Sequence, residues 1–200
     1  MVPAFFHPPE RIRRVLVLGV GGGTVIRLLH RYIGPQQIIG IDIDPLHLML
    51  ARRFFGVRRD MADLFQEDAV SWLRRYKGPP FDMIIDDLFG EHDGEGVRAV
   101  ALDGAWLGLL NKHLNSEGVL VVNLFSIHAL KASAYFKQPE LGACFQAPFV
   151  LSMPGFDNRV AVFLRKPSTV AGLRRRLAST DGLNACGGRN RLCFRVVQYR

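Results

Sequence analysis

From residue 14 onward, short runs of apolar side chains alternate with stretches in which apolar positions recur every three or four residues. The first run, 15–18, has no polar interruption and reads as a buried strand, ended by the cluster Gly19, Gly21, Gly22 and Gly23. Residues 24–33 then set Val25, Leu28, Leu29 and Tyr32 on one helical face, closed by Gly34 and Pro35. A second strand over 38–43 leads into Asp44-Pro45, a capping carboxylate followed by the residue favoured at the first helical position. It starts a helix that reaches Phe54. The same reading gives a short strand at 64–66, a helix over 69–76 and a strand over 81–86 after the break at Gly78-Pro79-Pro80. A long helix over 97–114 and a strand over 119–124 follow.

Strand, helix, strand with short connections requires parallel strands joined by right-handed crossovers, with helices on both faces. The predicted fold class is therefore α/β, a doubly wound, mostly parallel, Rossmann-like sheet. A helix near 128–136 comes next, then two strand-like runs, 149–153 and 160–164. Pro154-Gly155 between them predicts a C-terminal antiparallel hairpin. Beyond Lys166 the pattern weakens into a basic helix around 170–178, a turn-rich stretch over 180–190 and a last apolar run at 192–197. The chain divides on this basis into an N-terminal extension, 1–13, an α/β domain, 14–166, and a basic C-terminal appendage, 167–200.

Composition supports a folded, non-spanning chain. With 200 residues, 48% of them apolar and 22% charged, it can bury a core, which excludes a disordered protein. Its best apolar run, 118–125, falls short of the roughly 18 to 20 residues of a membrane helix. The net charge of +8 is unevenly spread: residues 1–120 carry 14 basic and 15 acidic side chains, 121–158 two of each, and 159–200 ten basic and one acidic. Such clustering admits nucleic acid as a partner of 159–200. Arginine outnumbers lysine 21 to 5 throughout, however, so compositional bias and surface solubility are the simpler account. Cys144, Cys186 and Cys193 are odd in number and late in the chain, which makes no disulfide framework. Pro3, Pro8 and Pro9 interrupt what a signal peptide would keep apolar, so the expected location is cytoplasmic.

The segment VLVLGVGGGTVIRLL joins a strand, a tight glycine turn and a helix start. That arrangement offers backbone N–H groups and a positive helix end to a nucleotide-type ligand. Thr24 stands where dinucleotide binders place their third glycine. Gly19, Gly21 and Gly23 instead give G-x-G-x-G, with Gly22 inside it, a spacing similar to the first motif of S-adenosylmethionine-dependent transferases. Asp42 ends the second strand, 23 residues after Gly19, where a carboxylate accepts hydrogen bonds from ribose hydroxyls. Ile43 belongs to the same predicted site. Asp68 follows the third strand, where such folds contact an adenine amino group. A tight turn alone would imply no ligand; turn and acids together, in order at strand ends, imply one.

With these residues in hand, the chain resembles the spermidine synthase family, polyamine aminopropyltransferases built on the methyltransferase fold. The resemblance covers about residues 14–165 and rests on VLVLGVGGGTVIRLL, IIGIDIDPLHLMLARRFF, EDAVSWL, FDMIIDDLFG and the NSEGVLVVN turn and strand. It implies that Asp42 binds the ribose, that Asp68 and Ala69 bind the adenine, and that Asp87 is the base. Two family aspartates are absent, replaced here by Gly22 and Gly90. In the family the first holds the amine of decarboxylated S-adenosylmethionine. A carboxylate there would repel the carboxylate of ordinary S-adenosylmethionine, so Gly22 removes a charge-based discrimination between the two donors. The family also begins with a small β-rich domain that lids the site, whereas 13 residues precede Arg14 here.

Asp82, Asp86, Asp87, Glu91, Asp93 and Glu95 follow one another with no basic residue among them. They are expected beside the ligand crevice at the carboxyl ends of the strands, where they would draw a cation. Alkyl transfer from a sulfonium needs no general acid, but an amine acceptor must shed a proton, and Asp87 is the candidate base. A solvated loop, or Asp87 as a turn cap, would use the same residues. Asp86, Glu91, His92 and Asp93 hold no recognised metal spacing, nor do Cys186 and Cys193, so no metal is assigned. His30, His47 and His113 fall in helical patterns and read as surface or packing residues.

The sequence thus predicts an S-adenosylmethionine-dependent transferase of the spermidine-synthase-like type. Its first reading is a methyltransferase acting on a small amine or cationic acceptor. The alternative is an aminopropyltransferase using decarboxylated S-adenosylmethionine, and a further one is a non-catalytic nucleoside-binding or nucleic-acid-interacting module. No membrane partner is expected, and a homodimer is compatible with the reading.

Overall fold

The uninterrupted apolar runs become the central strands of one sheet, since strands covered on both faces have no place for polar side chains. In the computed structural model, which describes residues 1–92, 94–183 and 193–199, the first half follows the expected order. It comprises β1 (Arg14–Leu18), α1 (Thr24–Tyr32), β2 (Gln37–Asp42), α2 (Pro45–Arg53), β3 (Asp63–Gln66), α3 (Ala69–Arg75) and β4 (Phe81–Asp86). β1 pairs in parallel with both β2 and β4, and β2 with β3. Asp44 caps α2, its carboxylate accepting from the Leu46 N–H at 2.8 Å, with Pro45 at the first helical position.

Residues 97–114 are not one helix. The chain forms a two-stranded antiparallel hairpin, β5 (Phe89–His92) and β6 (Glu95–Arg98), and only then α4 (Gly104–His113). Asp103 sets that start by accepting from the Trp106 N–H at 2.9 Å, and Arg98 is drawn inward by an acid on β4. β7 (Leu114–Leu124) follows and pairs in parallel with β4. The helix expected near 128–136 is three short ones, α5 (Ile127–Lys131), α6 (Ala134–Lys137) and α7 (Pro139–Gly142), because Ser133 and Pro139 each open a new helix start.

The antiparallel hairpin is β8 (Phe149–Ser152) with β9 (Arg159–Leu164); β9 also lies antiparallel to β7. α8 (Val170–Ala178) and β10 (Arg195–Gln198) follow, giving the sheet order β10-β8-β9-β7-β4-β1-β2-β3. Alternate residues feed two cores: Val15, Val17, Met83 and Val121 on one face, and Leu16, Leu18, Ile84 and Leu120 on the other.

Residues 1–13 and the described part of 167–200 pack onto this sheet rather than standing apart from it. Ala4, Phe5 and Phe6 are fully buried, with the Phe6 ring tilted against that of Phe149 at 4.5 Å between centroids. α8 buries Leu173 and Leu177 against the same face, Arg176 donates to the carbonyls of Phe5 and Phe6, and β10 pairs with β8. Two leucines four residues apart suffice to dock a basic helix, and overall charge conceals them. Cys186 and most of the turn-rich stretch lie outside the described residues, as does Asp93. No helix among the described residues is long and apolar enough to cross a membrane.

Candidate active site

The carboxyl ends of β1, β2, β4 and β7 open onto a cavity of about 1110 Å³. Gly19, Gly21, Gly22, Asp42, Ile43, Asp68, Ala69 and Asp87 all line it. Gly23 does not: it is the left-handed residue that starts α1, pressed against Val57. The backbone at Gly19 is left-handed too, with φ at +86°, and a Cβ there would run into the carbonyl oxygen of Asp87. Glycine at this position therefore lets the β1 turn and the end of β4 touch.

Asp42 is buried and organises the turn. Its Oδ2 accepts from the Val20 and Gly21 N–H groups, both at 2.9 Å, and its Oδ1 from the Asp44 N–H at 2.9 Å. The longest of its contacts, 3.3 Å, is to His47 Nδ1, so that contact is the one a hydroxyl would most readily replace. Asp68 caps α3 through Oδ1, which accepts from the Ser71 N–H at 2.8 Å. Its hydrogen bonds to Ser71 hold its carboxyl below the usual range. Ile43 leaves an exposed apolar side chain on the cavity wall, which suits a flat heteroaromatic ring. The cradle thus fits an adenosyl group.

Asp87 Oδ1 accepts from Asn123 Nδ2 at 2.8 Å, and Asn123 Oδ1 accepts from Asn158 Nδ2 at 3.0 Å. Phe89 and Phe125 meet edge to face at 5.0 Å and form an aromatic wall beside these groups. The neighbouring acid, Asp86, is turned away into the core. It is fully buried, paired with Arg98, and accepts from Trp106 Nε1 at 2.8 Å. Burial pushes its carboxyl upward, opposed by the Arg98 guanidinium and the indole N–H.

Five carboxylates, those of Asp42, Asp44, Asp68, Asp87 and Glu91, line the cavity, and no lysine or arginine does so among the described residues. Four cations of the basic segment are engaged elsewhere: Arg159, Arg165 and Arg176 donate to backbone carbonyls, and Lys166 pairs with Glu117. Sequence reasoning missed His47, Asn123 and Asn158, along with the aromatic pair. Asn123 carried one signal, as a polar residue near the end of an otherwise apolar strand; Asn158 carried none.

A family model described as the spermine/spermidine synthase domain matches residues 1–169. The chain belongs to this family. Among its relatives, polyamine aminopropyltransferase 2 of Caldanaerobacter subterraneus subsp. tengcongensis is 26% identical over 176 residues, covering 79% of this chain and 56% of that one. The polyamine aminopropyltransferase of Vibrio vulnificus is 32% identical over 129 residues, covering 62% and 41%. The chain thus spans about half the length of the curated relatives it matches. Of solved structures, human methyltransferase-like protein 13 in complex with SAH superposes with a TM-score of 0.68 at 21% identity, covering 88% and 85% of the two chains. Spermidine synthase from Thermotoga maritima gives 0.67 at 15% identity, covering 90% and 62%. These likenesses establish the methyltransferase-type fold of the family.

Proposed function

We propose that the cavity transfers an aminopropyl group from decarboxylated S-adenosylmethionine to a small amine, which reverses the order of preference drawn from the sequence. The observation that carries this reading is the charge of the cavity wall. Five carboxylates and, among the described residues, no lysine or arginine favour a cationic acceptor and a donor tail that ends in an amine, and offer no guanidinium or lysine ammonium to the carboxylate of ordinary S-adenosylmethionine. The naming of the relatives as polyamine aminopropyltransferases supports it, as does the likeness to a spermidine synthase in complex with the transition-state analogue AdoDATO.

In this reading the glycine turn and Asp42 hold the ribose side, with His47 giving way, and Asp68 and Ala69 hold the adenine edge against Ile43. The bound sulfonium supplies an electrophilic carbon and a neutral thioether leaving group. Asp87 takes the proton that frees the acceptor's lone pair, through Oδ2, because Asn123 occupies Oδ1. The aromatic pair shields that side from water. Much of the acceleration comes from holding nucleophile and carbon in line.

Methyl transfer is the second reading, and Gly22 favours it. A Cβ at Gly22 would lie 3.2 Å from the Phe55 ring, and glycine leaves no carboxylate at this point of the cavity lining. Incubation with putrescine and each donor, with the nucleoside product identified by mass, separates the two readings. Aminopropyl transfer yields methylthioadenosine, and methyl transfer yields S-adenosylhomocysteine. Asp87→Asn should lower kcat by about 10²- to 10⁴-fold. Formation of S-adenosylhomocysteine alone would reject the first reading.

A further inference from the structure

We infer that Asn158, on the turn between β8 and β9, positions the amine acceptor and helps select it, through an amide relay that begins at Asp87. The inference rests on the transfer to an amine proposed above. A carboxylate can only accept, so the Asn123 group 2.8 Å from Asp87 Oδ1 is its NH₂. The Asn123 carbonyl is thereby turned the other way and accepts from Asn158 Nδ2 at 3.0 Å. Asn158 is left with its own Oδ1 as an acceptor on the cavity wall. The charge of Asp87 thus dictates the orientation of two successive amides. The ends of the relay, Asp87 Oδ2 and Asn158 Oδ1, both accept, which matches an acceptor amine carrying more than one N–H.

The relay is anchored from elsewhere in the fold. Arg98 Nη1 donates to the backbone carbonyl of Asn123 at 2.8 Å and fixes the strand end that carries the relay amide. Arg159 Nη1 gathers the carbonyls of Phe156, Asp157 and Asn158 at 3.0, 2.6 and 2.9 Å. That single guanidinium fixes a turn whose side chains are mostly exposed, and so aims Asn158.

Replacing Asn158 by aspartate separates this relay from simple attraction. An extra carboxylate in an acidic cavity should tighten binding of a cation if charge alone matters. In the relay it faces the Asn123 carbonyl, and relief requires Asn123 to turn that carbonyl onto Asp87, so binding weakens. The test measures kcat and KM for putrescine with the decarboxylated donor on the full chain, alongside calorimetric binding of putrescine and of methylthioadenosine. Asn158→Ala should raise KM about tenfold, the scale of one hydrogen bond, with a smaller change in kcat and unchanged methylthioadenosine affinity. Asn158→Asp should raise KM at least as far, and Asn158→Gln should restore part of the loss. In an Asn123→Leu background, Asn158→Ala should add nothing. A lower KM in Asn158→Asp, full additivity of the two changes, or Asn158 variants with the wild-type KM would overturn the relay alone. Wild-type protein that neither binds nor alkylates the amine removes the proposed function, and the relay with it.

Discussion

Arg98→Met strands a charge in the interior. Asp86 is fully buried and the Arg98 side chain is 10% exposed. Asp86 Oδ2 keeps only the Trp106 N–H once the guanidinium is gone, and Oδ1 has no partner. Breaking such a pair from one side costs about 3 to 5 kcal/mol, and the lost bond to the Asn123 carbonyl adds about 1 kcal/mol. Against the roughly 5 to 15 kcal/mol of a typical domain, this is a large fraction. Burial already moves the Asp86 carboxyl above its ordinary 3.8, and losing Arg98 moves it further. The folded form then takes up a proton more readily than the unfolded chain, so stability is lost as pH rises through this range. The defect should therefore be greater at about pH 8 than at about pH 5 in urea unfolding. Asp86→Leu combined with Arg98→Met should recover all but about 1 to 3 kcal/mol, the cost of the unpaired indole N–H and the Asn123 carbonyl. A loss under about 1 kcal/mol at the higher pH, as for an exposed pair, or a double variant no better than the single one, would refute the reasoning.

Gly19→Ala should cost about 1 to 2 kcal/mol from its left-handed backbone alone, and more from collision with the Asp87 carbonyl; donor binding by calorimetry should fall with it. Leu173→Ala, at a fully buried position on α8, should cost about 2 to 5 kcal/mol in urea unfolding, whereas a dispensable appendage would lose nothing. Burial, then Arg176 and Arg11, hold His7 below its ordinary 6.5, and burial does the same for His113. The unfolded chain protonates first, so thermal stability should fall as pH drops below that value, less steeply in His7→Gln. Gly22→Asp should shift donor preference toward the decarboxylated form, because the half-exposed Phe55 ring can move aside; an unchanged ratio of the two affinities would contradict this.

The glycine turn and the acids at the strand ends were legible because each belongs to a local motif. Gly19, Asp42 and Asp68 sit in turn and strand-end motifs whose spacing along the chain reports their placement, although Gly19 meets Asp87 and Asp42 meets the Val20 and Gly21 N–H groups across elements. The helix expected over 97–114 fails for a related reason. Its apolar residues fit a helical period, but Asp103 caps a later start, and Arg98 answers to Asp86, a strand away. His47 reads as a surface or packing residue from its helical pattern, and only the fold of the β2–α2 turn brings its Nδ1 to 3.3 Å from Asp42.

Alternating apolar runs, a G-x-G-x-G turn and acids in register determined, from the sequence alone, a doubly wound sheet with a glycine turn and a row of acids at its strand ends. Each of those properties depends on residues within one strand, turn or helix, where hydrophobic period and backbone conformation are local. Tertiary structure decided which groups meet across the fold. Asn123 and Asn158 stand 35 residues apart, and Arg176 and Phe5 171 apart, distances over which no periodicity carries information. The glycine turn and the strand-end acids could therefore be read from the chain, whereas the Asp87–Asn123–Asn158 contacts and the docking of both flanking segments arise only when distant elements pack and must satisfy one another's buried polar groups.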